Sequence, residues 1–459
     1  MLTQQRRMSV RILETTDLPG GVSNLQSAKL RMIDLQKDIT LPEMGIGIDV
    51  PGLPGRGCGQ AGPAEFIDQQ KVPNLVTFVA RHGKVVHFDV QGYMDFDSKK
   101  PVSKDTIFRL YSNTKPITGV ATMMLYEEGL LNLDDRISKY IPAFNNPRVC
   151  VSDTTEGAVV SPISMIPTVP ARRGITIRDC LRNTTGLATP HRTPMSLMRE
   201  LPDVMMKLGW YPGSPPSKAS FREKVEALAK LPLSSQPGTE FEYHVGYPVI
   251  GVIIETIVGK TLEEYYQERI FKPLGMKDTS FYLPDRKLSR FPSLYQPKRE
   301  SQEWKLAIVE RPESSEKVTG PKIHFGAGGD MGGVLSTVAD YARFAQMLLN
   351  GGELDGVRIL GRKTVELMTS SHTGNIFIPM VGHGFGFGMG VGVHTGGRWA
   401  PIIRSIGSYG WGGAAGTIYF ADPKEDLLAI CFTQVLYHLM MPENTYREDF
   451  ERLVYQALL

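Results

Sequence analysis

The chain has 459 residues, 41% of them hydrophobic, which is enough apolar surface for one large domain or two lobes around a sizeable core. Its 51 Lys and Arg against 48 Asp and Glu leave a formal net charge of +3, so no strong field draws it to nucleic acid or to an anionic membrane, and a small partner fits better. The four cysteines, Cys58, Cys150, Cys180 and Cys431, stand without C-x-x-C or Cys/His spacing, which argues against a disulfide framework and a zinc site.

Residues 1 to about 63 combine a charged start with the Gly/Pro-rich "LPEMGIGIDVPGLPGRGCGQAGP" and read as an arm and linker, with the folded unit from 64 to 459. Neither this start nor the longest apolar run, "VIGVIIETIV" with Glu255 inside it, has the makings of a signal peptide or a membrane span, so a soluble, cytoplasmic protein is expected. "NLVTFVARHGKVVHFDVQGYM" gives two β-rich runs around Gly83, a hairpin. "FRLYSNTKPITGVATMMLYEEGLL" (108–131) follows, with apolar residues at helical spacing and Gly129 as its stop.

Long Pro-rich segments at about 146–172 and 190–235 read as loops that shape a pocket. "STVADYARFAQMLLNGG" is a structural helix with a Ser/Thr start and a glycine close. In "GHGFGFGMGVG" every even position from Gly382 to Gly392 is glycine, which in a strand puts all glycines on one face; close packing of a helix there is the favoured reading over a ligand. "GTIYFADPKEDLLAICFTQV" is a second hairpin with the turn "DPKED", and Thr445 to Leu459 reads as a terminal helix. β-rich ends around helical patterns predict an α/β protein: an antiparallel sheet flanked by helices and built from both ends (about 64–111 and 320–459), with a mainly helical lobe (about 112–319) inserted.

Several motifs fail. No G-x-S-x-G occurs, which argues against an ordinary α/β-hydrolase. "GKT" at Gly259 has Ile254 where a phosphate loop needs glycine, so it is a helix end, and no H-E-x-x-H exists among the nine histidines.

Ser112 and Lys115 carry chemistry. A serine hydroxyl needs a base, and lysine is a base only where burial or positive neighbours keep it neutral. Ser-x-x-Lys puts both side chains on one face of a helix start, where free N–H groups and the positive dipole end favour a developing oxyanion. Pro116 suits a first turn. The alternative is a capping serine whose lysine reaches solvent. A second tetrapeptide, "SSEK" from Ser314 to Lys317, lies in a charged segment with no apolar face to bury its lysine and reads as solvated.

Around this helix the chain resembles the serine β-lactamase and D,D-peptidase superfamily, in its class C-like branch, and is most similar to the family VIII carboxylesterases. The resemblance runs from about residue 66 to the C-terminus and rests on ordered blocks: "SNTKPITGVATMMLYEEGLLNLDDRISKYIP", "GITIRDCLRNTTGL", "PGTEFEYHVGYPVIGVIIETIVGKTLEEYYQERIFKPLGMKDTSF", "GGVLSTVADYARFAQMLLNGGELDGVRIL" and "GSYGWGGAAGTIYFADP". It implies Ser112 as nucleophile, and Tyr243 of "YHV" as the tyrosine sharing proton transfer with Lys115. It places the third motif on "WGGA", with Trp411, Gly412 and Gly413 lining the substrate pocket. Ser112 and Ala414 would then supply the oxyanion N–H groups. Read from the residues alone, Tyr243 is preferably a core tyrosine, and "WGGA" has as its alternative a turn with a buried tryptophan.

Departures from the family pattern bear on the substrate. Val245 replaces an asparagine amide, and Trp411-Gly412-Gly413 replaces Lys-Thr-Gly, so the cation that would meet a β-lactam or peptide carboxylate is missing. Asn183 stands where many relatives have histidine. The resemblance therefore implies a serine carboxylesterase for a small neutral ester, with no metal or organic cofactor. A β-lactamase or D,D-peptidase, an acyltransferase of the same fold, and a non-catalytic scaffold are the alternatives.

Overall fold

The computed structural model describes residues 63–151, 167–188, 219–319, 333–397, 400 and 402–458; the arm read at 1–63 lies outside them except for Pro63, as do the middles of the two long segments. Seven strands make one sheet: β1 (Asn74–Arg81), β2 (Lys84–Gly92), β3 (Phe385–Phe387), β4 (Gly392–His394), β5 (Tyr409–Gly412), β6 (Ile418–Asp422) and β7 (Leu427–Phe432). Their order is β3-β4-β5-β6-β7-β1-β2, and every pairing is antiparallel. The sheet thus joins both ends of the described chain.

Both expected hairpins form. The β1–β2 turn has His82 and Gly83 at φ 52° and 68°, the double positive φ that matches the twist of paired strands. In the β6–β7 turn the Asp422 carboxylate accepts from the N–H groups of Lys424 and Glu425, a local bond that makes aspartate a turn residue.

Strand β7 runs through the middle of the sheet and is buried along its whole length. Its period of two divides the core: Leu427, Ala429 and Cys431 join a cluster with Phe66, Tyr446 and Phe450, whereas Leu428, Ile430 and Phe432 face the larger helical cluster. Four longer helices and one short one place the site: α1 (Lys115–Glu127), α2 (Ile177–Leu181), α3 (Gly246–Val258), α4 (Val338–Leu349) and the terminal α5 (Tyr446–Gln456). Thr337 caps α4 by accepting from the Asp340 N–H, and Gly259 in the left-handed region ends α3, as expected for "GKT". Among the described residues no helix is long and apolar enough to cross a membrane.

Three expectations need correction. The segment 190–235 was expected to be loop throughout, yet Phe221–Leu228 is a helix with a Ser220/Glu223 capping box and Phe221, Val225 and Leu228 on its buried face. The region expected to be mainly helical also contains a hairpin, Leu294–Glu300 with Glu303–Glu310. The alternating glycines do not make one strand, because Gly388 to Val391 turn between β3 and β4, closed by a Gly388 N–H bond to Val391 O.

That turn nevertheless serves helix packing, as favoured. A Cβ on Gly119 of α1 would lie 2.2 Å from Met389 O, and one on Gly390 (φ 102°) would lie 2.6 Å from Lys115 O. Backbone therefore touches backbone, which only glycine allows.

Two stability predictions follow from this packing. Gly119→Ala forces the turn off α1 and should destabilise the protein by about 1–3 kcal/mol, read as a lower denaturation midpoint at unchanged slope. Burial raises the Asp340 carboxyl to about 6, opposed by donation from the Asp278 N–H and the Thr279 hydroxyl; nearby Asp278 raises it further and Lys287 lowers it. A folded pKa above the ordinary value means stability that is full at low pH and lost as pH rises through about 6. Asp340→Asn, which can still accept both bonds, should gain stability over wild type between pH 5 and 7.5 in denaturation curves; a gap that does not widen with pH would refute this.

Candidate active site

Strand Phe108–Arg109 delivers the chain to Tyr111, whose φ of 47° is unusual for a residue with a side chain and turns the backbone sharply. Residues Tyr111–Thr114 then form a 3-10 turn, and α1 begins only at Lys115. Ser112 was expected in the first α-turn; it lies instead in this tighter turn, where the Lys115 N–H bonds to Ser112 O. Arg109 anchors the approach from below, with its guanidinium buried against Glu310, Pro292 O and Gln434.

The Lys115 amine donates to Ser112 Oγ at 3.0 Å. Lys115 is 0% exposed, and that burial holds its pKa well below the ordinary 10.5. The rings of Tyr243 and Tyr247 lie 4.4 and 5.2 Å from its nitrogen, and the Gly390 turn closes on its backbone. Ser112 is also largely buried, at 9% exposed.

Tyr243 comes from the segment before α3. Its hydroxyl shares a hydrogen bond with Ser112 and accepts one from Trp411 Nε1 at 2.7 Å. Burial pushes the phenol above its usual 10, and these two bonds only partly offset it, so Tyr243 is protonated at neutral pH. Ser112, Lys115 and Tyr243 are thus brought together as the sequence reading expected.

Trp411 sits at the edge of β5, half-buried, with its ring edge-on to Phe387 at 4.8 Å. It was assigned to the substrate wall, and its indole N–H is turned to the Tyr243 oxygen. Strand pairing brings it there, since Trp411 opposes Tyr419 of β6. Gly412 follows it. Gly413 lies flat against Leu110, where a Cβ would come 2.2 Å from the carbonyl oxygen, and Ala414 is exposed in the β5–β6 turn beside it. Val245 faces away from this opening, 1% exposed in the hydrophobic core.

Asn183, for which the sequence offered no consequence, has one here. It is buried at φ 58°, a left-handed conformation that asparagine tolerates. Its carbonyl accepts from the Glu242 N–H at 2.7 Å and its Oδ1 from the His244 N–H at 3.0 Å, so it holds the chain on both sides of Tyr243. His244 itself is at φ 111°, a strained value that this clamp maintains. Gly246 completes the fit, since a Cβ there would lie 2.7 Å from Cys180 O on α2. A polar residue beside "TTGL" was the only available signal.

In the second Ser-x-x-Lys tetrapeptide Ser314 is exposed, as its charged segment suggested, but half-buried Lys317 donates to Gly333 O at 2.7 Å, a brace far from Ser112 in sequence but adjacent to Thr114 through Gly333. Among the described residues no three His, Cys, Asp or Glu side chains converge as metal ligands.

The clamp on Tyr243 is testable by stability. Asn183→Ala loses the Oδ1 acceptor and strains the left-handed backbone, and should cost about 1–3 kcal/mol in chemical denaturation. Asn183→Gly loses the acceptor without the strain and should recover about 0.5–1 kcal/mol of that. Equal stability of Ala, Gly and wild type would rule the clamp out.

The family model described as Beta-lactamase matches residues 63–452. Protein Rv1367c of Mycobacterium tuberculosis is 34% identical over 388 residues, covering 82% of this chain and 89% of that protein. Esterase EstB of Burkholderia gladioli is 30% identical over 217 residues, 47% of this chain and 49% of its own. Among solved structures, EstCE1, described as a hydrolase with promiscuous acyltransferase activity, superposes with a TM-score of 0.67 at 25% identity, over 86% of this chain and 96% of that one. A buried Ser-x-x-Lys pair at a helix start, facing a tyrosine before a second helix and near strand β5 of the antiparallel sheet, thus sits in a chain that belongs to the beta-lactamase family.

Proposed function

We propose that this protein is a serine carboxylesterase that cleaves small neutral esters through an acyl-enzyme on Ser112. The observation that carries the reading is the amine of Lys115, 3.0 Å from Ser112 Oγ and fully buried. Burial disfavours its charged form, which suits a proton acceptor; the raised pKa of Tyr243 suits a proton donor.

In this mechanism Ser112 Oγ attacks the ester carbonyl while its proton passes to Lys115. The carbonyl oxygen becomes an oxyanion held by the N–H groups of Ser112 and Ala414. Collapse expels the alcohol, which takes a proton from Tyr243, and Lys115 reprotonates Tyr243. Water then attacks the acyl-enzyme by the same steps in reverse, releasing the acid and restoring Ser112. No metal or organic cofactor takes part.

An ester is favoured over a β-lactam or peptide because the position that carries a lysine in those enzymes is Trp411 here. Its N–H is bonded to Tyr243, and its ring offers an apolar wall without a charge for a carboxylate. EstB is named an esterase, which supports the same choice. Acyl transfer to an alcohol is a second reading, favoured by the activity described for EstCE1; it differs only in the acceptor at the deacylation step.

Hydrolysis of p-nitrophenyl acetate, butyrate and octanoate tests the proposal. Ser112→Ala should abolish turnover and fluorophosphonate labelling. Lys115→Arg, whose guanidinium stays charged at neutral pH, should lower kcat by about 10³-fold or more. Turnover that survives Ser112→Ala would sink the mechanism, and penicillin cleaved far faster than any ester would sink the substrate assignment. Alcohol-dependent ester product would select acyl transfer.

A further inference from the structure

The proposed oxyanion site takes one N–H from Ser112 and the other from Ala414, which come from opposite ends of the described chain. Donors to an oxyanion act only when both lie about 2.7–3.1 Å from the oxygen, so something must set their spacing. Two side chains on the page do this. Asn113, directly after Ser112, donates from Nδ2 to Thr417 Oγ1 at 3.0 Å. The Thr417 hydroxyl passes a bond on to Leu110 O at 3.3 Å, and Thr417 O accepts the Gly413 N–H at 2.6 Å.

A closed circuit results. It runs from the nucleophile turn through Asn113 to Thr417, and from Thr417 both back to Leu110 and on to Gly413, the residue before Ala414. Gly413 seals the circuit by contact, because a Cβ there would lie 2.2 Å from Leu110 O and 2.3 Å from Thr417 Oγ1. Each side is held from outside as well: Tyr341 Oη donates to Asn113 O at 2.9 Å, and Arg447 Nη2 donates to Gly413 O and Thr417 O at 3.3 and 3.4 Å. Asn113 and Thr417 are both fully buried.

We propose that Asn113 and Thr417 are positioning residues of the oxyanion site, fixing the Ser112 and Ala414 N–H groups at one spacing through the Asn113–Thr417 hydrogen bond. The inference rests on the esterase reading above. Neither side chain touches substrate; both act through the backbone they hold. Their removal therefore weakens the transition state more than ground-state binding.

The test uses p-nitrophenyl butyrate and a matched thionoester, in which sulfur replaces the carbonyl oxygen and fits the two N–H groups poorly. Asn113→Leu keeps the volume and removes the donor, Thr417→Val removes the hydroxyl, and Thr417→Ser retains it. Each of the first two should lower kcat by about 10-fold or more with KM within about twofold, and the double variant should be no worse than the poorer single one. The preference for ester over thionoester should fall by a similar factor, and Thr417→Ser should restore both readings to within about threefold of wild type.

Losses that multiply in the double variant, or an unchanged ester preference, would overturn the positioning role, because a general loss of fold affects both substrates alike. A wild type with Ser112-dependent turnover but no ester preference would overturn the oxyanion assignment and this inference with it, leaving the nucleophile in place. Absence of turnover on either substrate, with Ser112 still labelled by fluorophosphonate, would overturn the esterase reading; the labelling rate would then show the positioning role by falling about 10-fold in Asn113→Leu, or refute it by holding steady.

Discussion

A lysine that is to accept a proton near neutral pH needs its charged form disfavoured, and for Lys115 exclusion of water does this. The rest of the site follows from this requirement. The amine cannot be buried by its own helix, because α1 covers one side only. The rings of Tyr243 and Tyr247 close a second side, and the Gly388–Val391 turn presses on the backbone of Lys115 from a third. Ser112, in the 3-10 turn, keeps 9% exposure where Lys115 has none.

Close approach of backbones makes the enclosure possible. Gly119, Gly246, Gly390 and Gly413 each sit where a Cβ would meet a carbonyl oxygen at 2.2 to 2.7 Å. These contacts join α1 to the Gly388–Val391 turn, α3 to α2, and β5 to the residues before Ser112. They bring three distant parts of the chain to one point without side chains between them, which leaves the intervening space to Ser112, Tyr243 and Trp411.

The indole N–H of Trp411 gives the site its chemical character. A lysine at that position would supply charge both to Tyr243 and to a substrate carboxylate; tryptophan supplies a hydrogen bond to Tyr243 and no charge to anything else. In the proposed mechanism this separates proton relay from substrate recognition. Asn183 holds the chain on both sides of Tyr243 with one backbone and one side-chain acceptor.

By itself, the sequence determined what depends on neighbours in the chain: the two hairpins from their turn residues, the helices from apolar spacing and caps, and the pairing of Ser112 with Lys115 from a three-residue interval. Its resemblance to a family brought Tyr243 and "WGGA" to the same site. What it left undecided depends on contacts with segments outside each motif. The "SSEK" lysine read as solvated because its neighbours are charged, yet Gly333 meets it; the glycine alternation read as a strand because the carbonyls of Ser370, Met368 and Lys115 that bend it are not in its own sequence. Trp411 read as a pocket wall because side-chain type names a surface and not a direction. Only the tertiary structure decided that its N–H points to Tyr243, since that direction is set by the register of β5 on β6.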